Sequence, residues 1–357
     1  MLFHRAKSAP KNDKPTHNDS FDLTDIIIIV PICDEPEKII SRFIDSIRTV
    51  RFRENIIFIE NYSDDNLKNN VISLIKKRGY RLINIPYSGN KAKALNRFLL
   101  NNRSHLEPYN YAFFLDIDQI PGAINFSKLK NDLLKSPDLI AIQLREEIET
   151  PNLLSVLYNS MQLIYHDSIC YGKNHYNSAT LLGGNFIIQL PAFYEAGVFY
   201  EESILEDILT SYKLNNQSFK IVYVNHISCK SLPPSNWISL LRQQRRYVIG
   251  SIDLLILWFR SIYNSKLNFT QKVSYLQHAT VYLSSFALII DIFYPVNLVL
   301  YFKYIILILI IGLSITINYK YLLGILLFAF LTPFKIVFIL MYPFRNRRFI
   351  VTKKLER

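Results

Sequence analysis

The sequence changes character near residue 277. Hydrophobic residues make up 50% of the 357 residues, and they are unevenly distributed. Before Gln277 they are mixed with polar residues, whereas after it the chain is dominated by Ile, Leu, Phe and Tyr. About 20 apolar residues cross a bilayer as a helix. Candidate spans lie at 279–300, 304–318 and 321–342. We therefore predict a globular domain first, transmembrane helices over 278–343, and a basic cytosolic tail over 344–357.

Between residues 26 and 144, short apolar runs alternate with segments whose apolar residues recur at helical spacing. These patterns predict strands at 26–30, 56–59, 80–85, 111–115 and 140–144, and helices at 37–50, 66–78 and 91–101. Further along, they predict helices at 152–170 and 237–260 and an extended segment at 181–189. Strands that alternate with helices form a doubly wound parallel sheet, with ligands at the carboxyl ends of the strands. The predicted fold class is α/β.

A formal net charge of +12 favours negative partners such as nucleotide phosphates, anionic lipid head groups or nucleic acid. The sequence has no helix-turn-helix, zinc-finger or RNA-binding signature, so we expect no nucleic-acid partner. Cys33, Cys170 and Cys229 are odd in number and widely spaced, which favours a reducing compartment over a disulfide framework or zinc motif. The polar segment 1–25 lacks the apolar core of a signal peptide and is predicted to be disordered.

Two carboxylates directly follow the fourth predicted strand. Asp116-Ile117-Asp118 precedes a Pro-Gly turn, which places both side chains at the edge where ligands collect. Hard oxygen ligands suit Mg²⁺ or Mn²⁺, and a diphosphate can complete the coordination. Asp-x-Asp is also common in surface turns, but its position after a buried strand favours a function. Lys91 opens the third predicted helix, where free backbone N–H groups bind anions, and can reach a donor phosphate.

A second acidic pair, Glu206-Asp207, lies at the start of a helix predicted over 208–214. Acidic residues at a helix start are ordinarily explained by the helix macrodipole. Glycosyl transfer with inversion nevertheless needs a carboxylate that takes the proton from the acceptor hydroxyl. Asp207 is our candidate for this general base, with Glu206 beside it.

The sequence from Gln243 to Tyr247 lies within 233–277, a basic and aromatic region that we interpret as amphipathic helices at a membrane interface. Arg242 is explained equally well as a ligand of lipid head groups. Arg246 is suited to bidentate contacts with a diphosphate. Tyr247 offers a flat face on which an acceptor sugar can stack.

In chain order, the motifs resemble those of the family 2 glycosyltransferases, specifically the cellulose-synthase-like branch. The ordered set comprises Pro31 to Glu35, Ser63-x-Asp65, Lys91 to Asn96, Asp116-x-Asp118, Gly183-Gly184, Glu206-Asp207 and Gln243 to Gly250. The resemblance implies a Rossmann-like GT-A catalytic domain over 26–232, a UDP-sugar donor and a bound Mg²⁺ or Mn²⁺. These features are expectations for the structure to test.

The resemblance also implies roles for individual residues. Donor binding is assigned to Pro31, Glu35, Asn61, Lys91, Asp116, Gln243 and Arg246; metal binding to Asp118 and Asp116; catalysis to Asp207 and Glu206; and acceptor binding to Tyr247 and Gly184. Two positions depart from the family pattern. Glu60-Asn61-Tyr62-Ser63 stands where Asp-Asp-Gly-Ser is usual, which leaves the donor base open, and Tyr247 replaces the usual Trp.

Three hypotheses about function follow. The first is a membrane-bound inverting hexosyltransferase that extends a polysaccharide, the second is a single transfer to a membrane lipid, and the third is a catalytically degenerate membrane scaffold. Two or three spans are too few to line a polymer channel within one protomer, so a processive enzyme is expected to need an oligomer or a second protein. The basic tail predicts a multi-pass protein of the cell (inner or plasma) membrane with a cytosolic catalytic domain.

Overall fold

The computed structural model describes residues 25–47, 53–62, 65–122, 126–280, 319–344 and Lys354. Its strands are β1 (Ile26–Ile32), β2 (Ile56–Glu60), β3 (Arg81–Asn84), β4 (Tyr111–Phe114), β5 (Gln119–Pro121), β6 (Leu139–Ile148), β7 (Phe186–Gln189) and β8 (Lys220–Ser231). Its helices are α1 (Glu37–Ser46), α2 (Asp65–Lys77), α3 (Lys91–Asn101), α4 (Arg103–Leu106), α5 (Phe126–Leu134), α6 (Leu153–Ile164), α7 (Tyr171–Lys173), α8 (Leu190–Glu195), α9 (Glu206–Asn216), α10 (Trp237–Leu257), α11 (Phe269–Thr280) and α12 (Tyr319–Leu340). The strands form one sheet in the order β3-β2-β1-β4-β7-β6-β8-β5.

The sheet is mixed, and its two halves follow different rules. Strands β3, β2, β1 and β4 are parallel, which confirms the prediction for the first half. The prediction of a wholly parallel sheet is wrong for the other half, because β7 is antiparallel to both β4 and β6. The Asn185 N–H donates to the Phe114 carbonyl oxygen at 2.7 Å, so β7 starts at the edge where β4 ends. Such an antiparallel entry needs no crossover helix.

Strand β1 is buried on both faces, and its side chains alternate between two cores. Ile26 and Ile28 pack with α1, α2 and α5 on one side of the sheet. Ile27 and Ile29 pack with α3 and α8 on the other. This burial explains the continuous apolar run, since a strand covered on both faces does not alternate with polar residues.

The predicted helix over 152–170 is divided in the structure. Asn152 begins α6 with a capping box, in which its side-chain oxygen accepts a hydrogen bond from the Ser155 N–H at 2.9 Å. The α-helical pattern ends at Ile164 and is followed by a π-helical segment at Tyr165–Cys170. A π-helical turn widens the helix locally and often occurs at functional sites.

The last described helix, α12, packs against the catalytic domain. Leu327 and Leu331 join Tyr158 of α6 and Leu240 of α10 in one apolar cluster. Within the described residues, the segment Lys320–Leu340 is the one helix long and apolar enough to cross a membrane, with a mean hydropathy of 2.4. The predicted span at 321–342 coincides with this helix. Apart from the end of α11 at Thr280, the predicted spans at 279–300 and 304–318 lie outside the described residues, as does the segment 1–24.

Candidate active site

The carboxyl ends of β1, β2 and β4 open onto a cavity of about 1350 Å³. It is lined by Pro31, Glu35, Asn61, Lys91, Asp116, Asp118, Glu206, Asp207, Gln243, Arg246 and Tyr247. Gly184, expected beside the acceptor, instead packs its backbone behind Asp116: a Cβ atom there would lie 2.6 Å from Gln119 Oε1 and 3.0 Å from the Asp116 backbone nitrogen. The chain thus brings carboxylates from two distant segments into one cavity.

Lys91 and Asp116 form an ion pair at the start of α3. The Asn90 side-chain oxygen caps this helix by accepting hydrogen bonds from the backbone N–H groups of the first turn. The Lys91 ammonium contacts the Asp116 carboxylate and donates to the Gly183 carbonyl oxygen at 3.0 Å. Burial disfavours its charge, but Asp116 and Glu206 outweigh this effect and raise the pKa of Lys91. A fixed cation therefore stands between the two acidic groups.

Asp118 faces a lysine from the far end of the chain. Its Oδ2 atom lies 2.6 Å from Nζ of Lys354, which also donates to the Leu232 carbonyl oxygen at 3.1 Å. The Lys354 backbone forms an antiparallel bridge with Pro234. Burial opposes the charge of Lys354, but Asp118 and Glu146 more than compensate and raise its pKa. Sequence reasoning grouped this residue with a basic tail and missed its place in the cavity.

Glu206 and Asp207 begin α9 as two buried neighbouring carboxylates. Burial and the charge of Asp207 raise the pKa of Glu206 to about 7. Burial also raises the pKa of Asp207, partly opposed by the Ile208 N–H that donates to its Oδ1 at 2.8 Å and by the charges of Lys91 and Arg246. Near neutral pH the pair therefore holds a proton on one carboxyl while the other can accept one.

Helix α10 closes the cavity opposite the sheet. Gln243 is buried, and its side-chain oxygen has no hydrogen-bond partner among the described residues. An unsatisfied buried acceptor that lines a cavity is a natural contact for a ligand. The Arg246 guanidinium lies 5.8 Å from the centre of the Tyr247 ring. One turn further, a Cβ atom on Gly250 would lie 2.3 Å from Cγ of Leu205, the residue before Glu206.

The far wall of the cavity is formed by the loops after β1 and β2. Burial raises the pKa of Glu35 to about 8. The Asn61 amide is fully engaged by the chain: its nitrogen donates to the Pro86 carbonyl oxygen at 3.1 Å, and its oxygen accepts from the Ser88 hydroxyl at 3.1 Å. Asn61 therefore shapes this wall through contacts with the loop after β3.

Two further lining residues escaped the sequence analysis. Glu146, at the end of β6, is a buried carboxyl whose pKa is raised by burial, with the charge of Lys354 acting in the opposite direction. Tyr158, on α6, accepts a hydrogen bond from the Gln162 side chain at 2.9 Å. Neither belongs to a short motif, so only the fold reveals them.

The mixed sheet, with its carboxylates after β4 and at the start of α9, defines a GT-A-like glycosyltransferase fold. The mannosyltransferase PcManGT from Pyrobaculum calidifontis, solved with GDP-Man and Mn²⁺, matches this fold with a TM-score of 0.57. The match covers 89% of this chain and 87% of that chain at 14% sequence identity.

Sequence comparison identifies the family. The family model described as "Glycosyl transferase family group 2" matches residues 113–344, and "Glycosyl transferase family 2" matches residues 27–196. The chain belongs to the family 2 glycosyltransferases, in their cellulose-synthase-like branch. It is 25% identical over 226 residues to a probable glucomannan 4-β-mannosyltransferase 3 of Oryza sativa subsp. japonica (61% of this chain, 40% of the relative). It is 24% identical over 199 residues to a UDP-forming cellulose synthase of Dictyostelium discoideum, in its catalytic polypeptide (50% of this chain, 18% of the relative). The matches thus span less than half of either relative.

Proposed function

We propose that this protein is a membrane-bound inverting glycosyltransferase that moves a hexose-type sugar from a UDP-sugar to an acceptor hydroxyl. The observation that carries the proposal is the buried Glu206–Asp207 pair, which shares one cavity with Lys91, Asp116 and Arg246. A base and diphosphate-binding cations are the groups that a single displacement at a sugar carbon requires. The two relatives act on or make polysaccharides by name, which supports a saccharide as product.

The chemistry follows from these positions. The acceptor oxygen attacks the anomeric carbon while the bond from that carbon to the phosphate oxygen breaks, and the bonding electrons leave with the nucleoside diphosphate. The Asp207 carboxylate receives the acceptor proton. Because one displacement occurs on the face opposite the leaving group, the configuration inverts. Lys91 and Arg246 bind the diphosphate, Gln243 offers its unsatisfied oxygen to the donor, and Tyr247 supports the acceptor.

The residues present suit a divalent cation. Asp116 and Asp118 each hold an ammonium group in the structure, so both carboxylates already face positive charge. The described part of the chain has no cluster of three or more His, Cys, Asp or Glu side chains, so a bound diphosphate would have to complete the coordination. Asp118, with Asp116, would hold Mg²⁺ or Mn²⁺ there. Its contribution when bound is to neutralise charge on the leaving diphosphate.

The membrane assignment rests on α12 and the amphipathic segment before it. We propose that α12 crosses the cell membrane as part of a multi-pass anchor and that the catalytic domain faces the cytosol. Its apolar surface supports this, since Leu326, Phe330, Val337 and Leu340 are exposed in the described structure. A processive reaction would further require an oligomer or a partner subunit.

The base assignment is tested with Asp207→Asn. We expect loss of transfer by at least about a thousandfold, while UDP binding stays within twofold of the wild type because the carboxylate accepts a proton rather than binding the nucleotide. Glu202→Gln is the matched control: Glu202 lies in the same acidic stretch but is exposed and lies outside the cavity. Release of nucleoside diphosphate from UDP-glucose, UDP-N-acetylglucosamine, UDP-galactose, UDP-glucuronate and GDP-mannose identifies the donor. Full transfer by Asp207→Asn would refute the proposed base.

A further inference from the structure

The cavity extends well beyond the catalytic groups. Its volume of about 1350 Å³ exceeds the range of about 300–1,000 Å³ that is usual for small-molecule sites. The part remote from β1 and β2 is walled by α6, the π-helical segment after it, α11 and α12. We call this part the helical end; it is defined by Met161, Ile164, Ile169, Ile325 and Phe328. A nucleotide sugar on the sheet side leaves this end available for the acceptor.

The side chains of the helical end suit hydrocarbon better than sugar. The five that define it are apolar and offer no hydrogen bonds to hydroxyl groups. Two polar side chains also line it, and they bond to each other: Tyr165 Oη lies 2.9 Å from Nε2 of His278. Nδ1 of His278 lies 2.7 Å from Nζ of the buried Lys173, so both ring nitrogens are engaged. A sugar chain there would lose hydrogen bonds to water without replacement, at a cost that hydrocarbon does not incur.

Helix α12 places its wall by close backbone contact. Gly324 lies against α6, where a Cβ atom would come within 2.5 Å of the Ser160 carbonyl oxygen. Its neighbour Ile325 and, one turn later, Phe328 face the cavity. Leu326, between them, is 54% exposed on the outer side. The same apolar helix thus borders the cavity on one face and the surroundings on another.

We propose that the helical end binds the hydrocarbon chain of an amphipathic acceptor, whose hydroxyl-bearing head then lies beside Asp207. The inference rests on the proposed function for the role of the head group, and it specifies the acceptor as lipid-borne. A lipid-borne acceptor reaches the cavity along the bilayer that α12 is proposed to cross. The apolar chain fixes the head by occupying the helical end, so recognition of the acceptor depends on chain length more than on the sugar alone.

The test uses full-length protein and a series of alkyl β-D-glucosides with chains of 4, 8 and 12 carbons, each carrying a terminal diazirine. After photolysis, mass spectrometry locates the labelled peptides. We expect labels in the peptides that contain Ile169 and Ile325, with apparent affinity rising by up to about fourfold per added methylene, which is the factor equivalent to ~0.8 kcal/mol. Ile325→Trp fills the cavity and should reduce labelling at least tenfold. Leu326→Trp, on the exposed side of the same turn, is the matched control and should label like the wild type.

Two further measurements keep the outcome decisive. UDP affinity should stay within twofold in both Trp variants, which shows that the fold is intact, and Ile169→Trp fills the same space from the opposite wall. Labelling that ignores chain length, or effective competition by a water-soluble β-linked oligosaccharide, overturns the proposal in favour of a saccharide channel. Wild-type labelling in both Ile325→Trp and Ile169→Trp also overturns it. Labelling needs no turnover, so a protein that transfers no sugar would refute the proposed function and leave this result separately readable.

Discussion

Replacing Lys354 by Gln should strengthen metal binding at Asp118. In the structure a cation must first displace the Lys354 ammonium, which lies 2.6 Å from the carboxylate. The two side chains are only 19% and 14% exposed, so the pair is partly shielded from water. Exposed pairs are worth at most ~1 kcal/mol, whereas breaking a buried pair costs about 3–5 kcal/mol. We take about 1.5 kcal/mol for this intermediate case, which corresponds to roughly a tenfold change in affinity.

The assay is Mn²⁺ binding to the nucleotide-free protein, followed by electron paramagnetic resonance of the free ion. We expect Lys354→Gln to lower the Kd about tenfold, the factor worked out above. Lys353→Gln removes the same charge from the preceding residue and should change the Kd less than twofold. Asp118→Asn should abolish the measured site in either background, which identifies the carboxylate responsible.

The result that refutes this reasoning is simple. If Lys354→Gln and Lys353→Gln shift the Kd equally, the effect is one of overall charge and Lys354 does not occupy Asp118 in solution. If Lys354→Gln weakens Mn²⁺ binding, the lysine supports the site rather than competing for it.

Three more predictions concern the catalytic segment and the wall near the nucleotide. Gly250→Ala drives a methyl group into Leu205, so kcat should fall about 10–100-fold while UDP affinity, measured by calorimetry, changes less than threefold. Since burial raises the pKa of Glu206 to about 7 and raises that of Asp207, transfer should decline as the pH falls below about 7; Glu206→Gln should move this acid limb to lower pH by removing a like charge. Burial raises the pKa of Glu35 from 4.5 to about 8, so between these values the folded state holds a proton that the unfolded state releases, and stability falls as pH rises. Glu35→Gln should therefore raise Tm at pH 9 and leave it unchanged at pH 4.

The first half of the sheet could be predicted from the sequence because its signals are local. Strands β1 and β4 are continuous apolar runs, as burial on both faces requires, and Asn90 marks the start of α3. Strand β8 was missed, although it is 12 residues long, because polar residues such as Asn225 and Lys230 interrupt its apolar pattern. The reversal at β7 also leaves no local trace, since its residues read as a buried strand in either direction.

The candidate site could be predicted only where a residue type and a strand end coincide. Asp116 and Asp118 follow a buried strand, and their convergence with Asp207 in one cavity agrees with what the resemblance implied. Lys354 could not be found this way, because a lysine in a basic tail reads equally well as a residue that sets membrane orientation. Its partner lies far away in sequence, and no pattern within one segment encodes such a contact.

The contact between Lys354 and Asp118 also bears on when the enzyme can work. The sheet and its two cores are complete once the ribosome has made the chain through β8, so they can fold early during synthesis. The cavity still lacks α10 and α12 at that stage, and the lysine that covers Asp118 is among the last residues translated. A premature stop codon near the 3′ end of the message would therefore yield a well-folded sheet with an incomplete site, and an expression strategy that retains only the water-soluble half would do the same.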